Sequence, residues 1–193
     1  MSEGIKPIET VYGGYRFRSR LEARWAVFLE HLGLKFDYEP EGFELPGGVR
    51  YLPDFWVHPQ VDANNPRLPL IPGFWLEVKG EGEGSPSWPD TFSKASALAE
   101  CSRSPVALFA GQIEVGQRGY LFDHRQDRHS WSGKLLAIPA YWTWCPWCQC
   151  VQPVTRLTDM ECMCWRIRQF SGRPESAALA AIQARFEHGE RGR

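Results

Sequence analysis

At 193 residues, with net charge −1 and a sequence pI near 6.5, the chain suits one domain of ordinary size with a small appendage. It carries no overall basic field, so any contact with nucleic acid must rest on local patches. Hydrophobic residues make up 43%, which excludes global disorder and supplies a core. No apolar run approaches the ~20 residues that cross a bilayer. The start, Met1-Ser-Glu-Gly-Ile-Lys-Pro7, has no hydrophobic signal region, so a cytoplasmic protein without membrane contact is expected.

The first predicted element is a helix over Ser19–Leu32. Leu21, Trp25, Phe28, Leu29 and Leu32 form one buried stripe, Ser19 stands as N-cap and Gly33 fits the C′ position. Short strands follow at Lys35–Glu39 and Phe43–Leu45, with a turn at Pro46-Gly47-Gly48. Tyr51–Val57 and Phe74–Lys79 read as two central strands. Pro59–Gly73 between them has no periodicity and is expected to be a surface loop. A helix over Asp90–Cys101 and an apolar strand at Val106–Ala110 come next. Strands are then predicted at Gly119–Phe122 and Leu135–Ile138, a compact cysteine-rich unit at Cys145–Cys164, and a last helix over Glu175–His188. The order describes an α/β protein with a mixed sheet flanked by helices.

The chemistry concentrates in Tyr51-Leu-Pro-Asp54-Phe and Trp75-Leu-Glu77-Val-Lys79-Gly. Mg²⁺ is a hard ion held by one or two carboxylates, and Asp54 and Glu77 can supply them. The strand period of two puts Glu77 and Lys79 on one face and Val78 on the other, towards the core. Lys79 then sits where it can assist a water or stabilise a phosphate in flight. Glu22, beside the buried stripe, is a fourth acidic candidate. Ser19-Arg-Leu-Glu22 also fits the capping-box pattern, so a purely structural role competes with a place in the site. Glu77-x-Lys79 alone equally fits a cross-strand ion pair.

Phe17-Arg-Ser-Arg-Leu-Glu22, Tyr51-Leu-Pro-Asp54-Phe and Leu76-Glu77-Val-Lys79-Gly together resemble the PD-(D/E)XK nuclease superfamily, of restriction-endonuclease-like fold, over about Tyr12–Ala110. The segment is similar to the transposon-end endonuclease branch, and relatives of this kind are associated with bacteriophages and actinobacterial mobile elements. The resemblance implies that Asp54 and Glu77 ligate Mg²⁺ (or Mn²⁺), that the Val78 carbonyl adds a ligand, that Lys79 assists the water and that Glu22 completes the site. It implies a DNA endonuclease. The alternative is a nucleic-acid-binding or assembly module of the same fold whose cleavage is vestigial.

Cys145-Pro-Trp-Cys148 and Cys162-Met-Cys164, with 13 residues between the pairs, have the spacing of a structural Cys₄ zinc site. The second pair is Cys-x-Cys rather than Cys-x-x-Cys, and Cys150 is a surplus ligand able to replace Cys148 or Cys164. A redox Cys-x-x-Cys would need a βαβ setting that is not predicted here. Cys101 reads as a buried apolar side chain. The expected division is a nuclease-like domain over 1–139 and a zinc-ribbon-like segment with a terminal helix over 140–193.

Arg16, Arg18, Arg20 and Arg24 cluster at the entrance to the first helix, where they can contact phosphates or simply pair with surface Glu. His58 follows the Asp54 strand and His124 and His129 lie in a polar stretch. Of the remaining partners, a homodimer would suit paired cuts, and a second protein would suit targeting.

Overall fold

In the computed structural model the described residues are 8–62, 65–114, 116–123, 137–144, 149–154 and 173–186. A hairpin of β1 (Thr10–Tyr12) and β2 (Tyr15–Phe17) leads into helix α1 (Arg20–His31). Ser19 caps α1 through its side chain, and Gly33 follows the C-cap at φ +76°, a conformation open to glycine. Then come β3 (Phe36–Tyr38), the hairpin β4 (Phe43–Leu45) and β5 (Val49–Tyr51), and β6 (Phe55–Val57). A second hairpin, β7 (Gln60–Asp62) and β8 (Asn65–Ile71), precedes β9 (Phe74–Lys79), helix α2 (Trp88–Ser102) and β10 (Val106–Ala110). The chain ends its described course with β11 (Gly119–Phe122), β12 (Ala137–Trp144), β13 (Val151–Val154) and α3 (Arg173–Gln183).

Among the described residues seven strands form one mixed sheet in the order β13-β12-β11-β10-β9-β6-β3. Of these pairs β9 and β10 run parallel, because α2 carries the chain back between them, and the others are antiparallel. On one face α1 and α3 cover Phe55, Val57, Leu76, Val78, Ala107 and Phe109. On the other α2 and the β4–β5 hairpin cover Trp75, Val106, Leu108 and Phe122. Trp25, Phe28, Phe109 and Trp142 interlock on the α1 side, with Phe109 stacked on Trp142 at 5.5 Å.

Each sheet edge meets a side chain that bonds its open backbone. On β13, the Gln60 amide donates to the Val151 carbonyl and accepts the Val151 N–H at 2.7 Å. On β3, the Tyr15 hydroxyl donates to the Phe36 carbonyl at 3.5 Å.

Four expectations are corrected. Tyr51–Val57 is not one strand: Pro53 has no N–H, and the chain leaves the β4–β5 hairpin at Tyr51 and enters the main sheet at Phe55. Pro59–Gly73 is largely the β7–β8 hairpin, whose register shifts absorb an irregular sequence. The division at 139/140 falls inside β12, which joins the main sheet, while α3 packs on α1; the described residues beyond 140 share the first core. Cys101 is exposed near the end of α2. The proposed zinc ligands Cys145, Cys148, Cys162 and Cys164, and also His124 and His129, lie outside the described residues.

Candidate active site

The register of β6 against β9 pairs Phe55 with Leu76, so the next opposite pair is Asp54 and Glu77, where β6 has ended. Side chains there take over the ladder. The Val78 N–H donates to Asp54 Oδ2 at 2.8 Å, and the Asp54 N–H donates to Glu77 Oε2 at 3.3 Å. Two carboxylates are thereby fixed against each other by the backbone of two different strands. Asp54 is 1% exposed and Glu77 0%. Unpaired, such burial is strongly unfavourable.

Two cations answer them. The Lys79 ammonium forms an ion pair with Glu77 Oε1 and lies 3.7 Å from Asp54 Oδ2. It shares the face of β9 with Glu77, while Val78 packs into the α1-side core. From outside, the Arg18 guanidinium reaches Asp54 Oδ1 at 3.1 Å and Glu39 Oε1 at 2.5 Å, with its side chain 56% exposed. Burial, then the neighbouring Glu77, push the Asp54 carboxyl well above its ordinary range; Lys79 and the Val78 N–H offset part of this. Burial alone would lower Lys79, but Asp54 and Glu77 outweigh it and hold the ammonium charged.

Glu22 has a different fate. Its Oε1 accepts from the Ser19 hydroxyl at 2.9 Å, and its Oε2 from the Arg18 N–H at 3.0 Å and the Tyr38 hydroxyl at 2.5 Å. It is the acidic half of a capping arrangement on α1, next to Arg18. The structure brings Asp54, Glu77 and Lys79 together; Glu22, hydrogen-bonded at the helix start, stands near enough for its charge to help raise the Asp54 carboxyl.

Sequence reasoning missed two members of the site. Tyr51, at the end of β5, has a buried hydroxyl beside Glu77; burial, then the Glu77 charge and a hydrogen bond to it, push the phenol well above its ordinary range. Glu39 holds a left-handed conformation at φ +46°, donates its N–H to the Asp54 carbonyl at 2.9 Å, and takes Arg18 on its carboxylate. A non-glycine residue in that region is strained and is kept there by its contacts. The phenol gave one signal, its place in the Tyr51–Phe55 motif; Glu39 gave none.

Other polar candidates lie elsewhere. Arg16 pairs with Glu9 on the surface, and the guanidinium Nε atoms of Arg20 and Arg24 are buried without hydrogen bonds. His58 sits four residues beyond Asp54, about 13 Å along an extended chain. It bonds Asp37 at 2.8 Å. Cys150 is buried, with its thiol donating to the Val61 carbonyl at 3.4 Å.

Among the described residues no cluster of three or more His, Cys, Asp or Glu side chains gathers as a metal centre; Asp54 and Glu77 are a pair. The pair nonetheless fits a hard divalent ion. Its donors are carboxylate oxygens, and Glu77 Oε1 is buried without an aligned hydrogen bond. No protein-family model matches the chain, and no curated protein or solved structure matches it either. No helix among the described residues is long and apolar enough to cross a membrane.

Proposed function

We propose that the chain is a divalent-metal-dependent endonuclease of restriction-endonuclease-like fold that hydrolyses phosphodiester bonds of DNA. The observation that carries this reading is the buried Asp54–Glu77 pair with Lys79 on the same strand face. The helix-first mixed sheet with Asp54 at a strand start and Glu77-Val-Lys79 on its neighbour supports the family resemblance.

Asp54 and Glu77 would hold Mg²⁺ or Mn²⁺, and the resemblance adds the Val78 carbonyl. When bound, the ion would supply charge neutralisation at the phosphate and a more acidic water. Lys79 donates to a non-bridging phosphate oxygen as negative charge builds there. Water oxygen attacks phosphorus, the bridging P–O bond breaks, the attacking water loses a proton and the departing oxygen gains one. No covalent enzyme intermediate is needed. Arg18, on the solvent side of Asp54, offers a contact to the adjoining phosphate. Glu22 acts indirectly, by fixing the start of α1 and the backbone of Arg18.

One observation favours a second reading. Arg18 and Lys79 neutralise the pair without any metal, as they would in a vestigial DNA-binding or assembly module. Calorimetric titration with Mn²⁺ separates the two. Binding that disappears in Asp54→Ala, together with Mg²⁺-dependent nicking of supercoiled plasmid, supports the nuclease. Absence of both in the folded wild type would leave the module.

The cysteine segment is proposed to hold one structural Zn²⁺ through Cys145, Cys148, Cys162 and Cys164. The sequence sets the first pair between β12 and β13, a hairpin position suited to a zinc knuckle. Localisation in the cytoplasm and a homodimer or targeting partner belong to the same proposal.

A further inference from the structure

The face of the sheet that carries Glu77 and Lys79 continues across β10. The parallel register sets Leu108 beside Glu77 and Ala110 beside Lys79, so these side chains share one face, a single strand spacing of roughly 4.8 Å apart. A depression of about 200 Å³ opens there. Its lining is Leu108 and Ala110 from β10, Gly119 and Tyr120 from β11, Arg118 just before β11, and Trp88 from the start of α2. Gly82 and Glu83, in the loop that leaves Lys79, close the near side.

The floor is formed by the Leu108 and Ala110 side chains and the backbone of Gly119, whose missing side chain belongs to the opposite face, where a Cβ would stand 2.6 Å from the Phe109 ring. The walls are aromatic and held in place. Trp88 and Tyr120 have ring centroids 5.9 Å apart, and Phe92 packs edge-on against Tyr120 at 5.3 Å. Both wall residues are only half buried, which leaves ring surface open. The exposed Arg118 guanidinium stands 5.6 Å from the centre of the Tyr120 ring and has no ion-pair partner among the described residues. Glu83, also exposed, sets a carboxylate at the lip.

An apolar floor, open aromatic faces, a planar cation and one acceptor at the rim match a heteroaromatic ring with hydrogen-bonding edges. The depression lies one strand over from Glu77 and Lys79 on the same sheet face, where a base attached to a phosphate at the carboxylate pair can reach it. We infer that this depression receives one unpaired nucleobase of the strand being cut. A base inside an intact duplex is stacked on both faces and its pairing edge is occupied, so it cannot enter. The preferred substrate is then single-stranded or locally unpaired DNA: an end, a flap or a mismatch. Stacking tolerates every base, so this contact selects strand structure rather than sequence. The inference rests on the hydrolytic reading for its position and on the aromatic walls for its chemistry.

The test uses the full chain and a short single-stranded DNA carrying one 2-aminopurine, with Ca²⁺ as the bridging ion. Wild type is expected to quench the base on binding and to prefer this strand over blunt duplex of the same sequence. Trp88→Ala is expected to weaken binding about tenfold and to lose the preference. Trp88→Phe, which keeps a ring, restores both, and Tyr120→Leu behaves as Trp88→Ala while retaining bulk against α2. Duplex that competes as well as single strand, or folded Trp88→Ala and Tyr120→Leu that bind as wild type, would overturn the pocket. In Mg²⁺, cutting of the single strand by both variants at the wild-type rate removes the pocket and leaves hydrolysis standing. Quenching and strand preference without cleavage of any substrate by wild type removes hydrolysis and leaves the pocket.

Discussion

Two buried glutamates in this molecule are treated in opposite ways. Glu22 has three hydrogen-bond donors on its two oxygens, all within one turn of helix or on an adjacent strand. Glu77 is buried more deeply, takes one backbone donor and the Lys79 ammonium, has the Tyr51 hydroxyl beside it, and faces a second carboxylate. The first is held by donors at the start of a helix. The second shares its burial with another carboxylate and is balanced by a cation, the arrangement that the proposed metal site would use. Burial alone does not distinguish the two; the neighbouring charges do.

The sharpest way to break that contrast is to neutralise Glu77. Glu77→Gln is expected to abolish Mn²⁺ binding and plasmid nicking, and Lys79→Ala to lower the nicking rate by about 10²–10³. Equal rates in wild type and Lys79→Ala would point to another centre. Glu22→Ala should do something else: lower stability by about 1–2 kcal/mol in urea titration, as loss of a helix cap does, with Mn²⁺ affinity unchanged. A lost metal site in Glu22→Ala would erase the distinction.

A pH series sharpens it further. The raised Asp54 carboxyl means that the folded chain holds this proton more tightly than the unfolded chain, whose value is near 3.9. The resulting stability is fully present below that value and is lost as pH rises through the higher folded one. Measured in EDTA, the stability of wild type relative to Asp54→Asn should therefore fall from about pH 4 towards neutrality. A difference flat with pH would contradict the assignment. The smallest expected effect is at Arg18: its removal frees Asp54 Oδ1, so Arg18→Ala should tighten Mn²⁺ binding a few-fold by calorimetry. Separately, the purified chain should carry one zinc by elemental analysis, and Cys145→Ser should lose it.

Much of this was legible beforehand where the signal is local. The apolar stripe and both caps of α1 are set by residues within one helix, and β9 and β10 are short apolar runs with clear ends. The Asp54, Glu77 and Lys79 set was legible because strand alternation fixes which face Glu77 and Lys79 share. The β7–β8 hairpin was hidden by Pro66 and Pro69, which weaken strand propensity yet are tolerated in a two-stranded arm outside the main sheet. The β1–β2 hairpin was overlooked despite its Gly13-Gly14 turn. Tyr51, Glu39 and the reach of Arg18 to Asp54 depend on contacts between segments far apart in the chain, which no local pattern records.

The side chains that bond the two sheet edges bear on self-association. An open strand edge is a template for a second copy, and among the described residues the short β3 and β13 stand at the two ends of the sheet. Any fibril or sheet-extended assembly must first strip the Gln60 amide from Val151, or the Tyr15 hydroxyl from Phe36. The native fold thus resists polymerisation at its margins, and a Gln60→Ala chain should be the one that clouds first on prolonged warming.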